Sequence, residues 1–332
     1  MRGNAVIGAG SWGTTLAVLL AGKGLDVSLW VHEEDLAAAM RATRINSIYL
    51  PEARLPESIR ISADLEDVLR GASHIISVVP TQHIRGVFGR LGKRAIRDDA
   101  SLVSASKGIE NGTLKRPSQI LEELTGRSAA VLSGPSFAKE VIQGKPTAVT
   151  LAAQDEDEAR RLQELLNTGF FRVYTHRDIT GVELGGALKN VVAIAAGISD
   201  GLDLGGNARA ALITRGLAEM KRLGAAMGAL QQTFSGLSGI GDLVLTCTAD
   251  LSRNYTFGKE LAQGLTPGQI MATRRTVAEG VQTSKSVVEL AKKQGVEMPI
   301  AEQVYKVIFE GSSPMKAVQE LMGRSLKNEF TQ

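Results

Sequence analysis

The 332-residue chain holds one cysteine, Cys247, so no intrachain disulfide is possible and an oxidising compartment gains no support. Excess charge is scarce too. Lys and Arg number 38 against 35 Asp and Glu, and the net charge of +3 falls well short of a nucleic-acid binder's basic face. Four scattered histidines and one cysteine supply no metal-ligand cluster, so no metal is expected. The longest apolar run, Val191 to Ile198, is too short to span a bilayer, and the apolar N-terminal stretch reads as a strand rather than a signal peptide. Repeats, low-complexity tracts and long linkers are missing. These absences leave a globular cytoplasmic protein with neither nucleic acid nor membrane as partner.

Glycine, by contrast, is plentiful at 36 residues, and the first cluster carries a mechanism. An apolar strand ends in Gly8-Ala9-Gly10-Ser11-Trp12-Gly13 and runs directly into a helical pattern from Ser11 to about Lys23. Gly8 permits a tight turn, Gly10 lets backbone N–H groups approach a pyrophosphate, and Gly13 lets the helix lie close to its strand. The helix start then favours the anion through unpaired N–H groups and the helix dipole. A dinucleotide is the expected cofactor. Where the second strand ends, Val31-His32-Glu33-Glu34 leaves its kind open: His32 can face a 2′-phosphate and Glu33 a 2′-hydroxyl, so NADP or NAD fits.

Through the first half, β-branched runs (Asn4 to Ile7, Asp26 to Trp30, His74 to Val79, Ser101 to Ser104, Ala129 to Ser133, Ala148 to Ala152) alternate with amphipathic stretches. That alternation predicts an α/β, Rossmann-type parallel sheet covered on both faces. Near Gly181 the pattern turns helical and stays so, broken by glycine-rich loops at Gly197 to Asn207 and Ser235 to Asp242. The expected division is a dinucleotide-binding domain over 1–180 and an all-helical substrate domain over 181–332, with the active site between them.

Three strand ends supply rim candidates. Thr81, Gln82 and His83 follow one strand and are placed to line the nicotinamide side; Lys107 follows another among small residues, well placed to meet an anion; Ser133-Gly134-Pro135-Ser136 follows a third, with Ser136 available as a helix cap. In the helical half, Lys189 stands in a stretch otherwise apolar enough to be buried. A buried lysine is expensive without a partner and is usually kept for chemistry. Carbonyl reduction develops an alkoxide, which an ammonium can protonate and stabilise. Ser252-Arg253-Asn254 offers a hydroxyl, a guanidinium and an amide at a helix start, a set suited to phosphate.

Taken in order, the segments Gly8 to Ala17, Ser106 to Glu110, Leu132 to Val141, Glu183 to Gly201, Asn207 to Met220, Gly236 to Thr248, Ser252 to Asn254, Val277 to Lys285 and Met298 to Val304 resemble the bacterial NAD(P)-dependent sn-glycerol-3-phosphate dehydrogenases. The resemblance implies reduction of dihydroxyacetone phosphate, feeding glycerophospholipid synthesis. It assigns Ser11, Trp12, His32, Lys107, Ala138, Arg253, Val277 and Glu279 to the dinucleotide. To the phosphorylated triose it assigns Lys107, Gly134, Ser136, Lys189, Asp242, Ser252, Arg253 and Asn254, with Lys189 as catalytic acid and base. Many relatives have arginine at the position of His32, and often a further one at that of Tyr255. A homodimer is the expected assembly. Two other readings remain: a 3-hydroxyacid dehydrogenase, whose lysine is commonly followed by asparagine four residues later whereas here Asn190 is adjacent to Lys189, and a non-catalytic dinucleotide sensor, which has no use for a proton donor.

Overall fold

The computed structural model describes residues 3–91, 95–273, 278–326 and 328–329. The first half runs β1 (Gly3–Ile7), α1 (Ser11–Gly22), β2 (Val27–Trp30), α2 (Glu34–Thr43), β3 (Ile45–Asn46), β4 (Leu50–Arg54), β5 (Ile59–Ser62), α3 (Leu65–Leu69), β6 (Ala72–Ser77), α4 (Ile84–Phe88), β7 (Ser101–Ser104), α5 (Pro117–Thr125), β8 (Ala129–Ser133), α6 (Ala138–Val141), β9 (Thr147–Ala152), α7 (Glu156–Leu166) and β10 (Phe171–His176). Helices follow: α8 (Ile179–Gly201), α9 (Gly205–Ala226), α10 (Asp242–Thr248), α11 (Arg253–Ala262), α12 (Pro267–Thr273), α13 (Glu279–Gln294), α14 (Pro299–Phe309) and α15 (Pro314–Met322).

Among the described residues the main sheet has eight strands in the order β10-β9-β8-β7-β6-β1-β2-β5. Strand residues alternate between its faces, Val6 and Ile76 joining one apolar layer and Ala5, Ile7 and Ile75 the other. The strand order reverses at β1, which pairs in parallel with β2 on one side and β6 on the other, so the crevice at their carboxyl ends is the ligand site of such a sheet.

The expected parallel sheet needs one correction. β8 pairs antiparallel to β9, in the register Val131↔Ala152 and Ser133↔Thr150. The link between them holds only the one-turn helix α6, too little to carry the chain across a face of the sheet, so β9 runs back beside β8. The eleven-residue α7 does make such a crossing, and β10 lies parallel to β9. β5, β10 and the β3–β4 hairpin were not foreseen.

In the helical half α8 is the axis. Nearly its whole length, from Gly181 to Ser199, is buried among α9, α10, α11, α13 and α14, while Val182 reaches Val131 and Ala152 of the sheet. α8 is long and apolar enough to cross a membrane, but its apolar stretch lies entirely inside the protein. The expected loop from Gly197 to Asn207 is a correction too, since α8 continues to Gly201 and α9 begins at Gly205. Two of the glycines there, Gly197 and Gly201, serve close helix contact. A Cβ on Gly197 would stand 2.0 Å from Tyr255 O of α11, and one on Gly258 of α11 would stand 2.1 Å from Ile194 O of α8.

Candidate active site

The glycine turn closes β1 onto α1 as the motif requires. Gly8 has φ +112°, a region closed to most side chains, and a Cβ on Gly13 would fall 1.8 Å from Gly8 O. Gly10 differs: a Cβ there meets no atom within 4 Å, so the space above the start of α1 is open to a ligand. Among the described residues no side chain caps that helix, whose N-cap is Gly10, so its first N–H groups remain for a ligand. The residues therefore fit a dinucleotide pyrophosphate.

The β3–β4 hairpin straps over this turn. Asn46 Nδ2 donates to Ala9 O and Thr14 Oγ1, both at 2.8 Å, and Ser11 Oγ donates to Tyr49 O at 2.7 Å. Further along, Glu52 pairs with Lys139 of α6 at 2.6 Å. At the end of β2, His32 is exposed beside the Trp30 ring, at 5.6 Å between centroids, while Glu33 accepts from the Tyr49 hydroxyl at 3.2 Å. Trp12 lies against Phe171, and Ala138 O accepts from Thr15 Oγ1 of α1 at 3.4 Å.

Along the same rim, toward the helical half, the two lysines converge on one carboxylate. Lys189 projects from α8 with 6 % exposure and donates to Asp242 Oδ1 at 2.5 Å and to Thr246 Oγ1 at 2.7 Å. Lys107 donates to Asp242 Oδ2 at 2.7 Å and to Gly134 O at 3.0 Å. Gly134, at φ +134°, turns that carbonyl toward the lysine. Asp242 and Thr246 sit one turn apart on α10 and so share a face, with Thr246 Oγ1 donating in turn to Asp242 O at 2.6 Å.

Burial pushes the Lys189 ammonium down to about 8; Asp242 opposes that shift and Lys107 adds to it. Burial raises Asp242, but the two ammonium groups outweigh it and hold the carboxyl below its ordinary value. With two cations on one anion the cluster keeps a net positive charge, which suits an anionic substrate and a developing alkoxide. An ammonium has three N–H donors. Lys189 commits two of them to described residues, leaving one for a substrate oxygen.

The remaining candidates surround this cluster unevenly. Burial raises the Glu279 carboxyl; Arg253, Lys107 and Lys189 oppose the shift, as does a hydrogen bond from the Thr81 main chain, which places Glu279 between the rim and the lysines. Arg253 is exposed at the first turn of α11. Asn254 is buried, its Oδ1 accepting from Gly280 N at 2.9 Å at the start of α13. Ser252 caps α11 through Tyr255 N at 3.2 Å. Ser136 is not the helix cap expected of it; its hydroxyl donates to Gly134 O at 3.0 Å. Val277 lies outside the described residues. Cys247, buried beside the cluster, has its thiol pushed up to about 12 by burial and is inert. Thr246 was not singled out from sequence, although its spacing from Asp242 was available to read.

Family models place this arrangement. The N-terminal model of NAD-dependent glycerol-3-phosphate dehydrogenase matches residues 4–159 and the C-terminal model matches 178–319. The chain belongs to that family. A glycerol-3-phosphate dehydrogenase (NAD(P)+) from a Geobacter species is 55 % identical over 329 residues, covering 98 % of both chains. One of the same name from Solidesulfovibrio magneticus is 54 % identical over 328 residues, covering 98 % of this chain and 99 % of its own. The crystal structure of glycerol-3-phosphate dehydrogenase from Coxiella burnetii superposes with a TM-score of 0.94 at 43 % identity, covering 97 % of this chain and 99 % of its own. Glycerol-3-phosphate dehydrogenases thus share this chain's whole fold, and the cofactor is NAD or NADP.

Proposed function

We infer that the chain reduces dihydroxyacetone phosphate to sn-glycerol 3-phosphate with a reduced nicotinamide dinucleotide, and that the reaction runs reversibly. The observation that carries this reading is the Lys107–Asp242–Lys189 cluster, placed at the carboxyl edge of the sheet that presents the glycine turn. A reduced nicotinamide held by these residues would supply the hydride that C2 of the substrate accepts. Lys189, buried and with its ammonium near 8, delivers a proton to the oxygen at C2, and Asp242 with Thr246 fixes the direction of that ammonium. Lys107 steadies the same oxygen electrostatically. Arg253, Asn254 and the start of α11 hold the phosphate, with Gly134, Ser136 and Ser252 beside it, so binding energy remote from C2 orients the carbonyl. Gly8, Gly10, Ser11, Trp12, Gly13, His32, Ala138 and Glu279 take the dinucleotide, and we assign Val277 to it as well.

We divide the chain after residue 180, in the first turn of α8, into a cofactor domain and a catalytic helical domain. A cytoplasmic homodimer making a glycerophospholipid precursor is the setting we favour, consistent with a lone buried thiol. The test follows nicotinamide absorbance with dihydroxyacetone phosphate and NADPH or NADH, using unphosphorylated dihydroxyacetone as control. Oxidation that requires the phosphate supports the assignment, and the ratio of the two rates resolves His32 against Glu33. No oxidation with either cofactor overturns it.

A further inference from the structure

Gln82 lies in the short turn Thr81–His83 that follows β6, and its side-chain amide is committed to main chain. Its Nε2 donates to Ile109 O at 2.8 Å and its Oε1 accepts from Asn111 N at 3.0 Å. One side chain therefore pairs with alternate residues of a neighbouring segment, as a strand would. The partners also fix the amide's orientation, because a carbonyl accepts and an N–H donates. Glutamate would set a carboxylate against Ile109 O, and an apolar side chain would leave both groups unpaired.

That segment carries Lys107. It is locked to the rim at further points: Ser106 Oγ donates to Val79 O at 2.6 Å, and a Cβ on Gly108 would stand 2.6 Å from Thr81 Oγ1. From the opposite side α13 holds the same residues. Ser286 Oγ donates to Ile109 O at 2.9 Å, and Asn111 Nδ2 donates to Gln282 Oε1 at 2.9 Å. Ile109 O thus takes one hydrogen bond from the cofactor half and one from the helical half. The same helix carries Glu279, which accepts from the Thr81 main chain.

We propose that Gln82 is a positioning residue for Lys107. By pinning the main chain of 109–111 between the rim and α13, it sets where the Lys107 ammonium stands relative to Asp242 and the substrate oxygen. The proposal rests on the hydride-transfer reading above and adds a residue that touches neither cofactor nor substrate.

Gln82→Met keeps length and loses both hydrogen bonds. Its expected effect is a fall in kcat of about 10- to 100-fold, the consequence of a small misplacement of a catalytic group. The deciding measurement is a double-mutant cycle with Lys107→Met. If Gln82 acts through Lys107, the double variant is no slower than Lys107→Met alone; effects that multiply, or a Gln82→Met enzyme with parental kcat, overturn the proposal. Should Gln82→Met fail to fold, Ser286→Ala removes the other side-chain donor to Ile109 O, and its smaller loss is likewise expected to vanish in the Lys107→Met background; a loss that persists there overturns the proposal. Amide hydrogen exchange at Asn111 gives a readout without turnover. Faster exchange in Gln82→Met supports the clamp even if the parent fails to oxidise NADPH, an outcome that counts against the reaction instead, whereas unchanged protection overturns the clamp.

Discussion

Lys107 and Lys189 share the carboxylate of Asp242, one ammonium on each oxygen, at 2.7 and 2.5 Å. One arrives from the sheet's rim and the other from α8, so a single aspartate ties the two halves of the molecule together at the candidate site. It also tunes the Lys189 ammonium. Burial depresses the Lys189 ammonium to about 8, and the anion keeps it from falling further.

In the proposed reaction, reduction needs Lys189 protonated and oxidation of glycerol 3-phosphate needs it neutral. We predict that kcat/KM for reduction falls above about pH 8, while that for the reverse reaction rises through the same range. In Asp242→Asn the lysine loses its counter-charge and keeps Lys107 as a neighbour, so both limbs should move to lower pH by about one unit. Limbs that stay in place would separate Lys189 from the proton transfer.

Glu219, on α9, is a second buried ionisable group with no part in the reaction. Its carboxylate accepts from Ile300 N at 2.8 Å and Ala301 N at 3.3 Å, at the start of α14, yet burial raises its pKa to about 7. Between its unfolded value near 4.5 and about 7 the folded state binds more protons than the unfolded one, so this residue's contribution declines as pH rises through that window. Glu219→Gln should therefore gain stability relative to the parent between pH 5 and 8, by up to about 3 kcal/mol. Paired denaturant titrations across pH measure this, and a constant difference between the two proteins would refute it.

Two glycines of one motif should fail differently. A Cβ on Gly13 collides with Gly8 O at 1.8 Å, so Gly13→Ala must force α1 off its strand and should cost roughly 1–3 kcal/mol. A Cβ on Gly10 meets no protein atom within 4 Å, so Gly10→Ala should keep the parental melting temperature and lose dinucleotide affinity. Thermal melts with and without NADPH distinguish them; a Gly10→Ala protein stabilised by NADPH as strongly as the parent would contradict the placement of the pyrophosphate.

The sheet's centre was legible because β1, β6 and β7 each carry an adjacent apolar pair, Val6-Ile7, Ile75-Ile76 and Leu102-Val103, close to turn residues. Its edges were less so. Ile59-Arg60-Ile61-Ser62 alternates cleanly but is only four residues long, and the β3–β4 hairpin contains Pro51, which argues against a strand unless the strand lies at an edge. Gly197 and Gly201 were misread because a glycine that admits a neighbouring backbone looks in sequence like one that breaks a helix. For the lysines, one charge in an apolar helix was enough to mark Lys189. For Gln82 the strand-end position was plain, but what its amide meets depends on a segment 27 residues away.

The enclosure of α8 has a consequence for the newly made chain. Val131 and Ala152 precede it, but α9, α10, α11, α13 and α14 follow, and α14 ends at Phe309. Translation therefore delivers a segment apolar enough for a bilayer well before most of its shelter exists. Ribosome-bound chains halted shortly after Gly201 should crosslink to chaperones or insertion factors, and chains extended past α15 should not; equal crosslinking at both lengths would mean that α8 is shielded early by the sheet alone. The helix that carries Lys189 is made midway, and most of what shelters it follows.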